Sequence, residues 1–252
     1  MSVLTRLRLL PLAPVLFPQA RRLRSGTPRM PEASGPREGT VVGVDPLRLL
    51  VFGDSTAVGV GARSQQDALA GHLAAEIAER TGRGVLWRVV GESGVTAHGL
   101  LARYLSGALE TDFDIAFLSV GSNDALKLRS RRMFVRDIRH LLGALRRRCP
   151  DALLLMSSLP AFFRFAMMPE PLRRSLYRHS ASLEAGARRV VEASAKAHMS
   201  PPPPPYSAGF FASDGFHPGP DGYRDWARFA VEDAADPLAG FTSREPGAAS
   251  RR

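Results

Sequence analysis

The chain has 252 residues, 44% of them hydrophobic, and a formal net charge of +10. That composition supports one sizeable core with tails. The single cysteine, Cys149, excludes an intramolecular disulfide, and the surplus charge is nearly all arginine without interleaved aromatics, which favours a solvated surface over a nucleic-acid partner.

Arg6 and Arg8 precede an apolar run from Leu9 to Phe17 that Pro11, Pro14 and Pro18 interrupt and Arg21 and Arg22 close. The run is too short to span a bilayer, and its prolines oppose a regular helix. Pro18-Gln19-Ala20 is a poor cleavage site, so a signal peptide is weakly supported. The expectation is an uncleaved cytoplasmic chain that can touch an anionic membrane surface peripherally, with export left open. Residues from Ser25 to about Pro46 are rich in Pro, Gly and charge and read as a linker or loose extension.

The repeating pattern begins at Leu47–Phe52, a continuous apolar run of the kind found in strands buried on both faces. Gln65–Arg80 has helical spacing, Val85–Val90 reads as a strand, Val95–Leu109 as a helix and Ile115–Val120 as a third strand. A helix over Met133–Arg148, a strand over Leu153–Met156, a long helix over Pro171–His198 and a last helix over Asp221–Asp233 follow. Such alternation predicts a parallel sheet with helices on both faces, here of about five strands. The fifth strand is short or degenerate, because its place is taken by Pro201 to Pro205 and then Tyr206–Phe211. The expected organisation is an N-terminal segment and linker over 1–46, a catalytic domain over 47–235 and a disordered tail over 236–252.

Gly59-Val60-Gly61 after the first strand raises the question of a phosphate loop. Ser64 stands where a dinucleotide fingerprint needs its third glycine, no acidic residue closes the second strand, and no Gly-Lys-Ser/Thr follows. Nucleotide binding is therefore disfavoured, and the glycines are read as letting the loop pack tightly under the next helix. Cys149 reads as a small buried residue, and no Cys/His cluster has metal-binding spacing.

The strand ends carry the chemistry. Gly53-Asp54-Ser55 follows the first strand, Gly91-Glu92-Ser93-Gly94 the second and Gly121-Ser122-Asn123-Asp124 the third, while Asp214-Gly215-Phe216-His217 comes near the end. Parallel strands deliver their C-terminal ends to one edge, where open α/β folds bind ligands. A serine hydroxyl needs a base to become a nucleophile, and an imidazole suits that task near neutrality. A carboxylate can orient the imidazole, and backbone N–H groups or a side-chain amide can hold an oxyanion. Asp124 reads as structural. His72, His98, His140, His179 and His198 lie in or at the ends of predicted helices, without a partner motif.

These blocks, in this order, resemble those of the SGNH hydrolases, also called GDSL esterases and lipases, over about Leu47 to Phe229. The resemblance implies a flavodoxin-like three-layer α/β/α fold and no cofactor. It implies Ser55 as nucleophile, His217 as base with Asp214 behind it, and Ser55, Gly94 and Asn123 as the oxyanion hole. No Gly-x-Ser-x-Gly elbow is present, against an α/β-hydrolase. The expected reaction is hydrolysis of an acyl or aryl ester, with lysophospholipids and thioesters also within the family's range. An acyltransferase or deacetylase using the same site, and a non-catalytic membrane-associated scaffold, are the rivals. After the fourth strand, the apolar segment Leu159–Pro169 is either core packing or an acyl-binding wall, with Phe162, Phe163, Phe165 and Met167 as candidate substrate contacts.

Overall fold

The computed structural model describes residues 13–26 and 28–242. The first arginines, Arg6 and Arg8, and the tail from residue 243 lie outside the described residues. Six strands form one sheet: β1 (Glu38–Val41), β2 (Leu47–Gly53), β3 (Val85–Gly91), β4 (Ile115–Ser119), β5 (Leu153–Met156) and β6 (Ala197–Met199), in the order β1-β3-β2-β4-β5-β6. β2 to β6 are parallel, and β1 joins β3 antiparallel at one edge. The parallel strands thus follow the flavodoxin-like 2-1-3-4-5 order.

Period-two alternation splits the core into two layers. Leu50, Phe52, Ala116, Leu118, Leu154 and Met156 face one side, and Leu49, Val51, Ile115, Phe117, Leu153 and Leu155 face the other. A helical segment over 97–108, α3, covers the first side; it follows α1 (Ala13–Gly26) and α2 (Leu69–Thr81). It contains a π-helical turn at Leu100–Tyr104. After the short α4 (Ser122–Leu126), α5 (Arg131–Arg148) and α6 (Leu172–Glu192) complete that layer. The second side is covered by α2 and α7 (Pro220–Asp233), which contributes the buried Tyr223, Ala227, Ala230 and Val231.

Several sequence expectations change. The long helix stops at Glu192, and β6 lies at Ala197–Met199, ahead of the proline run rather than within it. The chain turns at Lys196, with φ +49, which moves His198 from an expected helix end into a strand, where its Nε2 lies 2.6 Å from Asp233. The stretch read as a linker supplies β1, and its Ala33 is buried. Residues 13–26 are helical despite Pro18. Gln19 then anchors the helix, its Nε2 donating to Glu170 O at 2.7 Å. The expected disordered tail begins in order: Leu238 in α8 (Ala235–Leu238) is buried in the second core layer. No helix among the described residues is long and apolar enough to cross a membrane.

Candidate active site

β2 and β4 are neighbours on the sheet, and successive crossovers leave them in opposite directions, so the crevice above their C-terminal ends is the topological switch point. Asp54-Ser55 leaves β2 there. The Asp54 N–H donates to Ser119 O at 2.9 Å, and Thr56 Oγ1 lies 2.7 Å from Ser119 Oγ, which pins the turn to the end of β4. A Cβ at Gly53 would stand 2.1 Å from Ser119 O, so only glycine allows this approach. The later glycines answer to packing. Gly61 has φ +102, and a Cβ there would stand 2.2 Å from Pro218 O, in the loop that carries the histidine.

That loop is a short hairpin in which Ala212 N–H donates to His217 O at 2.8 Å and Gly219 N–H to Phe210 O at 2.8 Å. The Asp214 side chain, fully buried, accepts from the N–H groups of Phe216 at 2.9 Å and His217 at 3.0 Å through Oδ1. Its Oδ2 lies 2.6 Å from His217 Nδ1, and His217 Nε2 lies 3.0 Å from Ser55 Oγ. Residues 162 positions apart are thus joined in one hydrogen-bonded chain. Tyr223 braces the arrangement from below, its hydroxyl donating to Val60 O at 2.7 Å.

Gly94 and Asn123 stand on the loops after β3 and β4. Gly94 has φ +80 and open space on the side where a Cβ would lie. Its carbonyl accepts from Lys127 Nζ at 2.9 Å, and the preceding Ser93 N–H donates to Glu32 Oε1 at 2.8 Å. Asn123 Nδ2 makes a long 3.5 Å contact with Asp54 Oδ2, weak enough to leave the amide free to turn to a ligand. Burial pushes the Asp54 carboxyl up to about 7, although Thr56 and Asn123 donate to it. Asp124 is the buried partner of Ala97 N–H and Arg129, each at 2.9 Å, and anchors α4.

A cavity of about 60 Å³ opens beside Ser55 and His217. Of the four expected wall residues, Phe165 lines it. Phe162 is buried in the core beneath, Phe163 points outward against Tyr177, and Met167 packs near Gly215. Leu159 and Pro160 of the expected segment line it too, beside serines at the strand ends, and most of its aromatic lining comes from Tyr206, Phe210, Phe211 and Phe216, which sequence reading passed over. Their signal was the cluster of aromatics just before and within the Asp214–His217 block. Among the described residues, no group of His, Cys, Asp and Glu could hold a metal ion.

A mostly parallel α/β sheet with a hydrogen-bonded Ser–His–Asp chain at its switch point is an arrangement suited to hydrolytic chemistry. The sequence model of the GDSL-like lipase/acylhydrolase family matches residues 51–224, and the chain belongs to that family. It is a carboxylic ester hydrolase. Among solved structures, it is similar to TesA at 22% identity and a TM-score of 0.56, covering 76% of this chain and 99% of that one. A family 3 carbohydrate esterase from Clostridium thermocellum matches at 15% identity and a TM-score of 0.57, covering 79% and 100%. The esterase EstA from a Pseudoalteromonas species matches at 15% and 0.54, covering 77% and 98%. At these identities the likeness shows the fold. No curated protein sequence matches.

Proposed function

We propose that the chain hydrolyses esters of short acyl groups through an acyl-enzyme on Ser55. The observation that carries this reading is the hydrogen-bonded chain from Ser55 Oγ through both ring nitrogens of His217 to Asp214, with links of 3.0 Å and 2.6 Å. A carboxylate at Nδ1 holds the ring proton there, so the Nε2 lone pair faces the hydroxyl. Oγ attacks the ester carbonyl carbon as its proton passes to Nε2, and the C=O electron pair moves onto oxygen. Three donors suit that oxyanion: the N–H groups of Ser55 and Gly94 and the amide of Asn123. Collapse breaks the bond to the alcohol oxygen, which takes the proton from Nε2. Water then attacks the acyl-enzyme, gives its proton to Nε2, and the acid leaves as Oγ recovers that proton.

Cavity size argues for the acyl range. A volume of about 60 Å³ holds about four water-sized groups, which corresponds to acetyl through butyryl. The aromatic wall favours an apolar acyl chain over a polar one.

Ser55→Ala is the test of the chemistry. It should lower p-nitrophenyl acetate turnover by at least about a thousandfold while circular dichroism stays unchanged. Retained turnover would reject Ser55 as nucleophile. For substrate range, kcat/KM should be highest for acetate to butyrate esters; a preference for octanoate or palmitate would reject the short pocket.

A further inference from the structure

Away from the catalytic cleft, α5 and α6 enclose a groove of about 740 Å³. Its floor is apolar, made by Val135, Gly186 and Val190, and four arginines line it: Arg131, Arg132, Arg139 and Arg189. Neighbouring arginines on the same helices find acids. Arg136 bonds Asp137 at 2.8 Å, and Arg188 bonds Glu184 at 3.0 Å. The four groove arginines make no ion pair among the described residues. Such a concentration of unneutralised charge in a concavity raises the local concentration of anions.

Helix packing fixes the position of Arg131. The helices approach so closely that a Cβ at Gly186 would lie 2.4 Å from Val135 Cγ2 and 3.0 Å from Arg131 Nε. That packing lays the Arg131 stem along the floor and shields Nε from solvent, and it has no acceptor there. Guanidinium forks match the oxygens of a phosphate group in pairs.

We propose that this groove is a binding site for a phosphate-bearing anion, separate from the ester-hydrolysing cleft. The phosphate belongs either to a free, multiply charged small molecule or to the headgroup of an anionic lipid, and two probes distinguish them. Inorganic pyrophosphate is titrated calorimetrically into the full chain. In parallel, the chain is sedimented with phosphatidylcholine vesicles with and without phosphatidic acid. Both measurements are repeated on Arg131→Gln/Arg189→Gln and on Arg224→Gln/Arg228→Gln, which removes the same charge from α7 on the other face of the sheet. Ester turnover should stay at the wild-type level in both variants and reports that they fold.

Weakening of pyrophosphate binding by at least about tenfold in the groove variant alone assigns the free anion. Loss of phosphatidic-acid-dependent sedimentation in the groove variant alone assigns the headgroup. Equal losses in the two variants, or no binding of either probe by the wild type, overturn the site.

Discussion

Asp54 is buried beside Ser55, and its carboxyl is pushed up to about 7, with burial as the largest cause. In the unfolded chain the same group titrates near the usual aspartate value, about 3.9. Between those two values the folded state binds a proton that the unfolded state has released, so stability falls as pH rises, by up to ~1.4 kcal/mol per pH unit, and levels off above about pH 7. Asp54→Asn carries no charge at any pH. Thermal melts of the variant should therefore decline less than wild type from about pH 4 to about pH 7; parallel curves would show that Asp54 is ionised throughout. A second residue argument concerns Gly61. With φ +102 and Pro218 O 2.2 Å from where a Cβ would stand, Gly61→Ala forces the His217 loop outward. The cost should be roughly 2–4 kcal/mol in urea unfolding. If His217 acts as proposed, a displacement of its ring by about 1 Å should also lower kcat by about a hundredfold. A variant with wild-type kcat would mean that the loop yields without moving the imidazole.

At the scale of elements, the second wall of the cavity is a strap, residues 200–213, between β6 and the Asp214–His217 hairpin. Arg164, in the turn Phe162–Arg164, holds it. Its Nη1 donates to the carbonyls of Pro203 and Pro204, and its guanidinium stacks over Phe163 and Tyr206 at 5.2 Å and 5.5 Å. Arg164→Ala should speed amide exchange at residues 206–212 by at least about tenfold, because each bond to a charged donor is worth about 1.5–3 kcal/mol. Unchanged exchange would show that aromatic packing alone holds the strap. The same strap marks where sequence reading ends. The central strands were legible because continuous apolar runs admit few other readings, and the four blocks were legible because chemistry restricts residue type. β6 was hidden because Ala197-His198-Met199 is three residues long and continues a helical spacing from α6. β1, Glu-Gly-Thr-Val, is an edge strand with half-exposed residues and little hydrophobic signal. Phe162 and Phe163 are adjacent, yet one is buried and the other exposed, a split that the 3-10 turn imposes and composition cannot reveal. Glu32 and Lys127, which fasten the Gly94 loop, act through long-range contacts that no local pattern encodes.

At the scale of the molecule, the sheet separates two apolar layers while both contribute to one site. Ser55 follows β2, whose side chains alternate between the layers, whereas the His217 loop leads into α7 on the second side and the aromatic wall rests on the first. Rigidity of the shared sheet, rather than contact between the layers, then keeps Ser55 and His217 in register. This arrangement predicts energetic independence. Leu73 on α2 and Ile138 on α5 are both fully buried, in different layers. Leu73→Ala should cost ~2–5 kcal/mol and Ile138→Val ~0.5–1.5 kcal/mol in urea denaturation. The double variant should lose the sum to within about 0.5 kcal/mol, since the two sites share no packing partner. An interaction energy well above that would mean the sheet transmits repacking from one face to the other. In that case cavities made in either layer should also change kcat, and a layer-by-layer account of the site would give way to one in which the whole core tunes it.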